Sequence, residues 1–181
     1  MRFLSLCLIF SILFSLLGCR PSTKEEKVIT ITGSTSVQPF VEKLAEIYME
    51  HHRGVIINVQ GGGSTAGIRS VRGKVADIGT CSRELREEEK DLNETVIAWD
   101  GITIIVHPEN KVQDISLSQL RDVFSGKIRY WSELGWVHKR IHFVTREEGS
   151  GSRDAFEQMV MKKVLISDEA LVQDSNGAVR E

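Results

Sequence analysis

The sequence predicts an α/β fold in which helices cover both faces of a mostly parallel sheet. Short β-branched segments alternate with segments whose apolar residues recur at helical spacing, and this β-α-β order is typical of parallel sheets. The hydrophobic share of 41% and the charged share of 27% are ordinary for a globular protein. The formal charge of −2 shows no basic excess, which argues against a nucleic-acid-binding protein.

The N-terminus has the pattern of an export signal. A positive start is followed by an apolar run over 3–17, which as a helix is roughly 22 Å long and too short for a ~30 Å hydrocarbon core. A small residue and Cys19 come next, which resembles the lipobox of bacterial lipoproteins, where the chain is cut before an acylated cysteine. We expect a signal peptide over 1–18 and a lipidated tether over 19–27; a plain secretory peptide with an incidental thiol is the alternative.

The first part of the body predicts strands and helices in alternation. β-branched runs bounded by glycine or polar residues predict strands at 28–32, 55–59, 76–79, 95–98 and 102–106. Helical spacing predicts a helix from Val37 with Pro39 in its first turn, a short helix with Ile68 and Val71 facing inward, and a charged surface helix over 83–92.

A second unit follows a domain boundary that we place at 107–110. Ser116 and Gln119 form a capping-box pattern, which predicts a helix that ends at Gly126 and buries Leu117, Leu120, Val123 and Phe124. A strand is predicted at 141–144. The last predicted helix covers 152–163 and carries on one face Ala155, Phe156, Met159 and Val160.

Four strand-to-helix turns carry hydroxyl side chains, at 33–36, 61–65, 81–83 and 149–152. Each presents backbone N–H groups at the positive end of a helix, and serine or threonine adds a donor without charge, so such turns suit anions. Arg146 precedes the last turn, and its guanidinium matches phosphate oxygens. Serine, threonine and glycine also favour turns for conformational reasons, so a single turn of this kind does not indicate an anion site. Four of them favour a site for a tetrahedral oxyanion.

No enzymatic chemistry is predicted. Gly149-Ser150-Gly151 is not the G-x-S-x-G nucleophile elbow, and no glycine run is followed by the Gly-Lys-Ser/Thr of a phosphate-binding P-loop. His138 and His142 stand at i, i+4 without a further ligand, so we interpret them as exposed histidines. Cys81 is assigned no chemistry. We therefore predict no enzyme, no metal site and no cofactor.

Five motifs in order closely resemble the phosphate-binding proteins that feed the bacterial phosphate ABC transporter. They lie at 31–39, 60–67, 76–85, 122–127 with Trp131, and 146–152, and the resemblance covers essentially all of 28–181. It implies a two-lobed periplasmic-binding-protein fold of type II that closes over phosphate by a hinge. The first lobe would be 28–107, and 108–181 would be a partial second lobe.

The resemblance also implies ligand residues by motif position. The phosphate-binding residues would be Thr35, Ser36 and Ser64 from the first lobe and Arg146, Ser150, Gly151 and Ser152 from the second. Ser82 falls where some members carry an aspartate that accepts the proton of phosphate and repels unprotonated sulfate. Ser82 lacks that charge. Glu148 is expected to orient Arg146.

The implied role is that of a monomer, held by its lipid anchor in the periplasm or at the outer face of the envelope, which hands phosphate to permease subunits. Family members continue past a segment like 174–181, so the second lobe and the return to the first are expected to be incomplete, with an unpaired sheet edge and an uncovered core face. Alternatives are a lipoprotein that senses phosphate or other oxyanions, a surface-interaction lipoprotein, and a non-functional fragment of a split gene.

Overall fold

A computed structural model of the chain describes residues 26–181. The predicted signal peptide, Cys19 and most of the predicted tether lie outside these residues. Among the described residues, no helix combines the length and the apolar character needed to cross a bilayer.

A parallel sheet organises the N-terminal region, residues 27–92. Its strands are β1 (Lys27–Gly33), β2 (Val55–Gln60) and β3 (Ile78–Thr80), in the order β2-β1-β3. The predicted strands at 28–32 and 55–59 are confirmed, and the third begins two residues later than expected. Because all three strands run the same way, their carboxyl ends meet at one sheet edge, and the turns that follow them lie side by side.

Two helices connect these strands, as predicted. Helix α1 (Gln38–His51) has Pro39 in its first turn, where the missing N–H leaves no hydrogen bond unmade. It buries Val41 and Ala45, and its Met49 sulfur accepts a hydrogen bond from the backbone N–H of Ile57 in β2 at 3.2 Å. Helix α2 (Ser64–Arg72) packs against β1 and β3 and buries Ile68.

The charged helix predicted over 83–92 is wrong. This segment contains only a single 3₁₀ turn, Glu87–Glu89. The prediction assumed that its charges face water, yet the side chains of Arg83 and Glu89 are buried and paired with each other. This pair, together with the long-range pair of Arg83 and Asp154, therefore sets the local backbone here.

The strands predicted at 95–98 and 102–106 are also wrong. Residues 93–114 contain neither helix nor strand, and their large apolar side chains, among them Ile97, Trp99 and Ile105, are exposed. Trp99 is 86% exposed. A β-branched run becomes a strand only where a neighbouring strand accepts its hydrogen bonds, and no described strand lies beside this segment.

The C-terminal region, residues 115–181, has shorter elements. They are α3 (Leu117–Phe124), β4 (Val144–Arg146), α4 (Gly151–Phe156), β5 (Leu171–Gln173) and α5 (Asn176–Arg180). Strands β4 and β5 pair in parallel, and α4 continues as a π-helical turn, Glu157–Met161. The strand predicted at 141–144 thus begins only at Val144.

One apolar core holds the C-terminal region together. Its buried members are Leu120, Val123, Phe124, Ile141, Phe143, Phe156, Val160 and Met161. The predicted capping box is present, since Ser116 N–H donates to Gln119 Oε1 at 3.0 Å and Gln119 N–H to Ser116 Oγ at 3.2 Å. The helix ends before Gly126, whose φ of +78° suits glycine.

Two predicted core residues are exposed instead. Leu117 lies in the first turn of α3 and faces out, and so does Met159. The π-helical turn explains why Met159 is exposed. Lys162 N–H donates to the Glu157 carbonyl at 2.6 Å, and this wider turn changes the direction of the side chains that it encloses. Met161 is turned inward in its place and is fully buried.

Candidate functional site

The four predicted turns converge in the folded chain. The turn after β1 leads into α1, the glycine turn after β2 leads into α2, Ser82 follows β3, and the turn before α4 faces them from the C-terminal region. The shared sheet edge brings the first three together. Side-chain and backbone contacts bring the fourth against them.

A chain of hydrogen-bonded hydroxyls forms the centre of the site. Ser34 Oγ lies 2.9 Å from Ser36 Oγ and donates to Ser82 Oγ at 3.0 Å, and Ser82 Oγ lies 3.3 Å from Ser64 Oγ. The backbone N–H of Ser82 also donates to Ser64 Oγ at 3.1 Å. From the C-terminal region, Ser152 Oγ approaches Ser36 Oγ to 3.5 Å. We call this set the hydroxyl chain.

The start of α4 packs against the hydroxyl chain, of which Ser36, Ser82 and Ser152 are half-buried. Ser34 is 2% exposed and Ser64 is fully buried. A Cβ added to Gly151 would collide with the Oγ atoms of both Ser64 and Ser82. Only glycine therefore allows the α4 backbone to approach these hydroxyls so closely.

The two regions also touch through their backbones. Thr65 N–H donates to the Gly149 carbonyl at 3.1 Å. Gly63 and Gly149 both have φ of +86°, and a Cβ on Gly63 would stand 2.9 Å from the Gly149 oxygen. Glycine is needed here both for the left-handed backbone and for the close approach.

Arg146 joins the site from the end of β4. Its buried guanidinium donates from Nη2 to Thr35 Oγ1 at 2.6 Å and to the Asp174 carbonyl at 2.9 Å, and from Nη1 to Asn176 Oδ1. Glu147, not Glu148 as expected, pairs with it: Nε lies 2.9 Å from Oε2 and Nη2 lies 3.0 Å from Oε1. Glu148 is exposed.

Most residues predicted for the site are brought together. Thr35, Ser36, Ser64, Ser82, Arg146, Gly151 and Ser152 all take part in these contacts. Ser150 is buried, but its hydroxyl caps α4 by accepting from Arg153 N–H at 3.5 Å rather than joining the hydroxyl chain. Sequence reasoning missed Ser34, although it stands beside Thr35, and Asn176, which no local pattern marks.

A cluster of charged side chains lies next to the hydroxyl chain. Arg83 donates to both Glu89 carboxylate oxygens at 2.6 and 2.9 Å and to Asp154 at 2.8 Å. Arg86 reaches the same Asp154 oxygen at 2.6 Å. The hydrogen bond from Arg83 lowers the pKa of Glu89 to about 2. Glu89 is therefore ionised at neutral pH.

The arrangement is suited to binding an anion. It combines neutral hydroxyls, backbone N–H groups at helix starts and one guanidinium, all in a low-dielectric setting where charge-assisted hydrogen bonds are strong. Among residues 26–181, no group of three or more His, Cys, Asp or Glu side chains could hold a metal ion. His138 and His142 are both exposed, as expected.

Comparison with known proteins finds one family. A model of the PBP superfamily domain matches residues 20–181. The phosphate-binding protein PstS of Borreliella burgdorferi is 30% identical over 96% of this chain and 66% of its own length. The phosphate-binding protein PstS 2 of Streptococcus pneumoniae TIGR4 is 46% identical over 59% of this chain and 37% of its own length.

Solved structures give the same result. One is described as a phosphate ABC transporter substrate-binding protein from Clostridium perfringens with bound phosphate. It is 40% identical with a TM-score of 0.80, and the match covers 85% of this chain and 65% of that one. An ABC-type phosphate transport receptor from Vibrio cholerae is 38% identical with a TM-score of 0.70. The chain thus spans about a third to two thirds of the length of these relatives.

Proposed function

The chain belongs to the PBP (periplasmic-binding-protein) superfamily, and we propose that it binds inorganic phosphate outside the cytoplasmic membrane and delivers it to an ABC permease. The observation that carries the proposal is the hydroxyl chain closed by Gly151 and flanked by Arg146. The names of the relatives, and the phosphate bound to one of them, favour this anion over others.

In this proposal two lobes, 28–107 and 108–181, close over the ion. The phosphate ligands are Thr35, Ser36, Ser64 and Ser82 from the first lobe and Arg146, Ser150, Gly151 and Ser152 from the second. Ser150 acts through its backbone, since its hydroxyl caps α4. Hydrogen bonds to charged groups contribute about 1.5–3 kcal/mol each, so a few of them suffice for the ~8 kcal/mol of micromolar affinity. Binding is non-covalent, and the protein catalyses no reaction.

At position 82, selectivity against sulfate rests on a hydroxyl, which carries no charge. Ser82 Oγ accepts a hydrogen bond from Ser34, and because a hydroxyl oxygen has two lone pairs it can accept a second one from a protonated ligand oxygen. A hydroxyl can equally donate, and it therefore discriminates less than a carboxylate would. We infer a smaller preference for phosphate over sulfate than an aspartate at this position would give.

The proposed setting is the cell envelope. Acylation of Cys19 would hold a monomer at the membrane, because each buried CH₂ of an acyl chain contributes about 0.8 kcal/mol. The remaining segment before β1 would act as a tether between anchor and first lobe.

Calorimetric titration of the processed chain with phosphate, and in parallel with sulfate, tests the proposal. We expect micromolar or tighter phosphate binding and weaker sulfate binding. Ser64→Ala, within the hydroxyl chain, should weaken binding, whereas Ser132→Ala should not, since Ser132 is an exposed serine bonded to His138. Equal binding of both anions would indicate a general oxyanion site, and a folded chain that gives no heat with either would overturn the proposal.

A further inference from the structure

The charged cluster beside the site joins the two regions. Asp154 belongs to α4 in the C-terminal region, and the two arginines that donate to it, Arg83 at 2.8 Å and Arg86 at 2.6 Å, belong to the N-terminal region. The Arg83 side chain is 1% exposed, and that of Asp154 is 12% exposed. Little water competes for this contact, so it counts for more than a surface ion pair.

The charged cluster and the hydroxyl chain join the same two parts of the molecule, which are the segment after β3 and the start of α4. Arg83 directly follows Ser82, and Asp154 lies one helical turn after Gly151. The close approach of Gly151 to the Ser82 hydroxyl and the ion pair between Asp154 and Arg83 therefore form or break together. Any force that holds Arg83 against Asp154 also holds Ser82 against the start of α4.

The contact is built so that it can open. Arg83 makes two hydrogen bonds to Glu89 within its own region, and Glu89 also accepts from Arg86 N–H at 2.8 Å. If the regions separate, Arg83 keeps a full counter-ion and Asp154 moves into water. Neither charge is then left buried and unpaired, which is the usual reason that broken buried pairs are so costly.

We propose that Asp154 is a positioning residue of the anion site, which fastens the N-terminal and C-terminal regions over the ligand through Arg83 and Arg86. This inference rests on the proposed function for the identity of the ligand. The contact of Asp154 with Arg83 and Arg86, which we call the latch, does not itself depend on phosphate, because all of its members are groups of the protein. Its effect is on how long the closed form lasts.

The first test measures phosphate dissociation from the processed chain by stopped flow. Asp154→Asn removes the charge and keeps the shape, and we expect it to raise the dissociation rate about tenfold while changing association less. Asp154→Glu, which keeps the charge, should stay closer to the unaltered protein. Glu169→Gln is the matched control, because Glu169 also pairs with two arginines, Arg129 and Arg140, but within one region.

The second test needs no ligand. The radius of gyration of the phosphate-free chain, from small-angle scattering, should be larger for Asp154→Asn than for the unaltered protein or for Glu169→Gln. If Asp154→Asn does not fold, Arg86→Gln replaces it, since the Arg86 side chain is 42% exposed and can be changed with little effect on the core.

The outcomes separate the two proposals. A chain that binds no phosphate but expands when Asp154 is neutralised would overturn the proposed function and support the latch. A chain that binds phosphate with the same dissociation rate and the same radius of gyration in all variants would overturn the latch and leave the function standing. An equal effect of Glu169→Gln would also overturn the latch.

Discussion

The N-terminal and C-terminal regions contribute to the site equally but are built differently. The C-terminal region buries eight apolar residues in one continuous core. The N-terminal region has a regular parallel sheet but buries fewer large side chains, and several on α1, including Phe40 and Leu44, are exposed. Regular hydrogen bonding and a deep core are therefore separate properties of the two regions.

The largest contrast concerns stability. Phe156→Ala in the C-terminal core should lower the free energy of unfolding by about 3–5 kcal/mol, because it opens a cavity between packed side chains. Phe40→Ala should change it by less than about 0.5 kcal/mol, since Phe40 is 70% exposed. Urea unfolding of both variants measures the difference. A large cost at Phe40 would mean that this face of α1 is covered in solution.

The second contrast concerns the kind of group that each region offers the ligand. Arg146→Ala removes a charge and several donors, and we expect a loss of about 3 kcal/mol, or roughly a hundredfold in phosphate affinity. Ser82→Ala removes one neutral hydroxyl and should cost about 1 kcal/mol. Calorimetric titration of both variants compares them. Equal losses would mean that the hydroxyl chain works as a single unit with the guanidinium.

The third contrast tests how closely the regions meet. Gly151→Ala places a methyl group against the Ser64 and Ser82 hydroxyls, and overpacking of this kind costs about 1–3 kcal/mol, which predicts roughly tenfold weaker phosphate binding. Gly177→Ala is the control, because its new Cβ would lie at an ordinary 3.8 Å from Ser175 Oγ. Unchanged affinity in Gly151→Ala would show that the bound state is more open than this structure.

The last contrast is one of acid sensitivity. The pKa of Glu89 is lowered from 4.5 to about 2 by Arg83, so its ionised form stabilises the fold above pH 4.5, and that stabilisation is lost as the pH falls towards 2. The loss should be about 2 kcal/mol. Unfolding free energies at pH 5 and pH 2.5 check it. Glu89→Gln should remove most of this pH dependence.

Sequence reasoning succeeded where the signal is local. Strand β1, helix α1 and the capping box of α3 follow from β-branching, Pro39 and the Ser116–Gln119 spacing, all of which act within a few residues. It failed at 83–92 and at the strands predicted at 95–98 and 102–106, where the outcome depends on groups far away in the sequence. Asp154 pairs with Arg83 in the first segment, and no strand among the described residues lies beside the second.

Within the site, too, local features were predictable and long-range contacts were not. The hydroxyl turns were predictable because a helix start needs such residues. Their partners were not, because the sequence does not show that Asn176 reaches Arg146 or that Glu147 rather than Glu148 pairs with it. Both carboxylates are adjacent in sequence, and only the direction of each side chain distinguishes them.

Two contacts in the hydroxyl chain, between Ser36 and Ser34 and between Ser82 and Ser64, allow either hydroxyl to be the donor. Each O–H can rotate about its C–O bond, so these two contacts can change direction without moving a heavy atom. Under the proposed function, the pocket could then receive phosphate with one proton or with two by reorienting its own hydrogens. Retention of the ion would depend only weakly on the acidity of the surroundings.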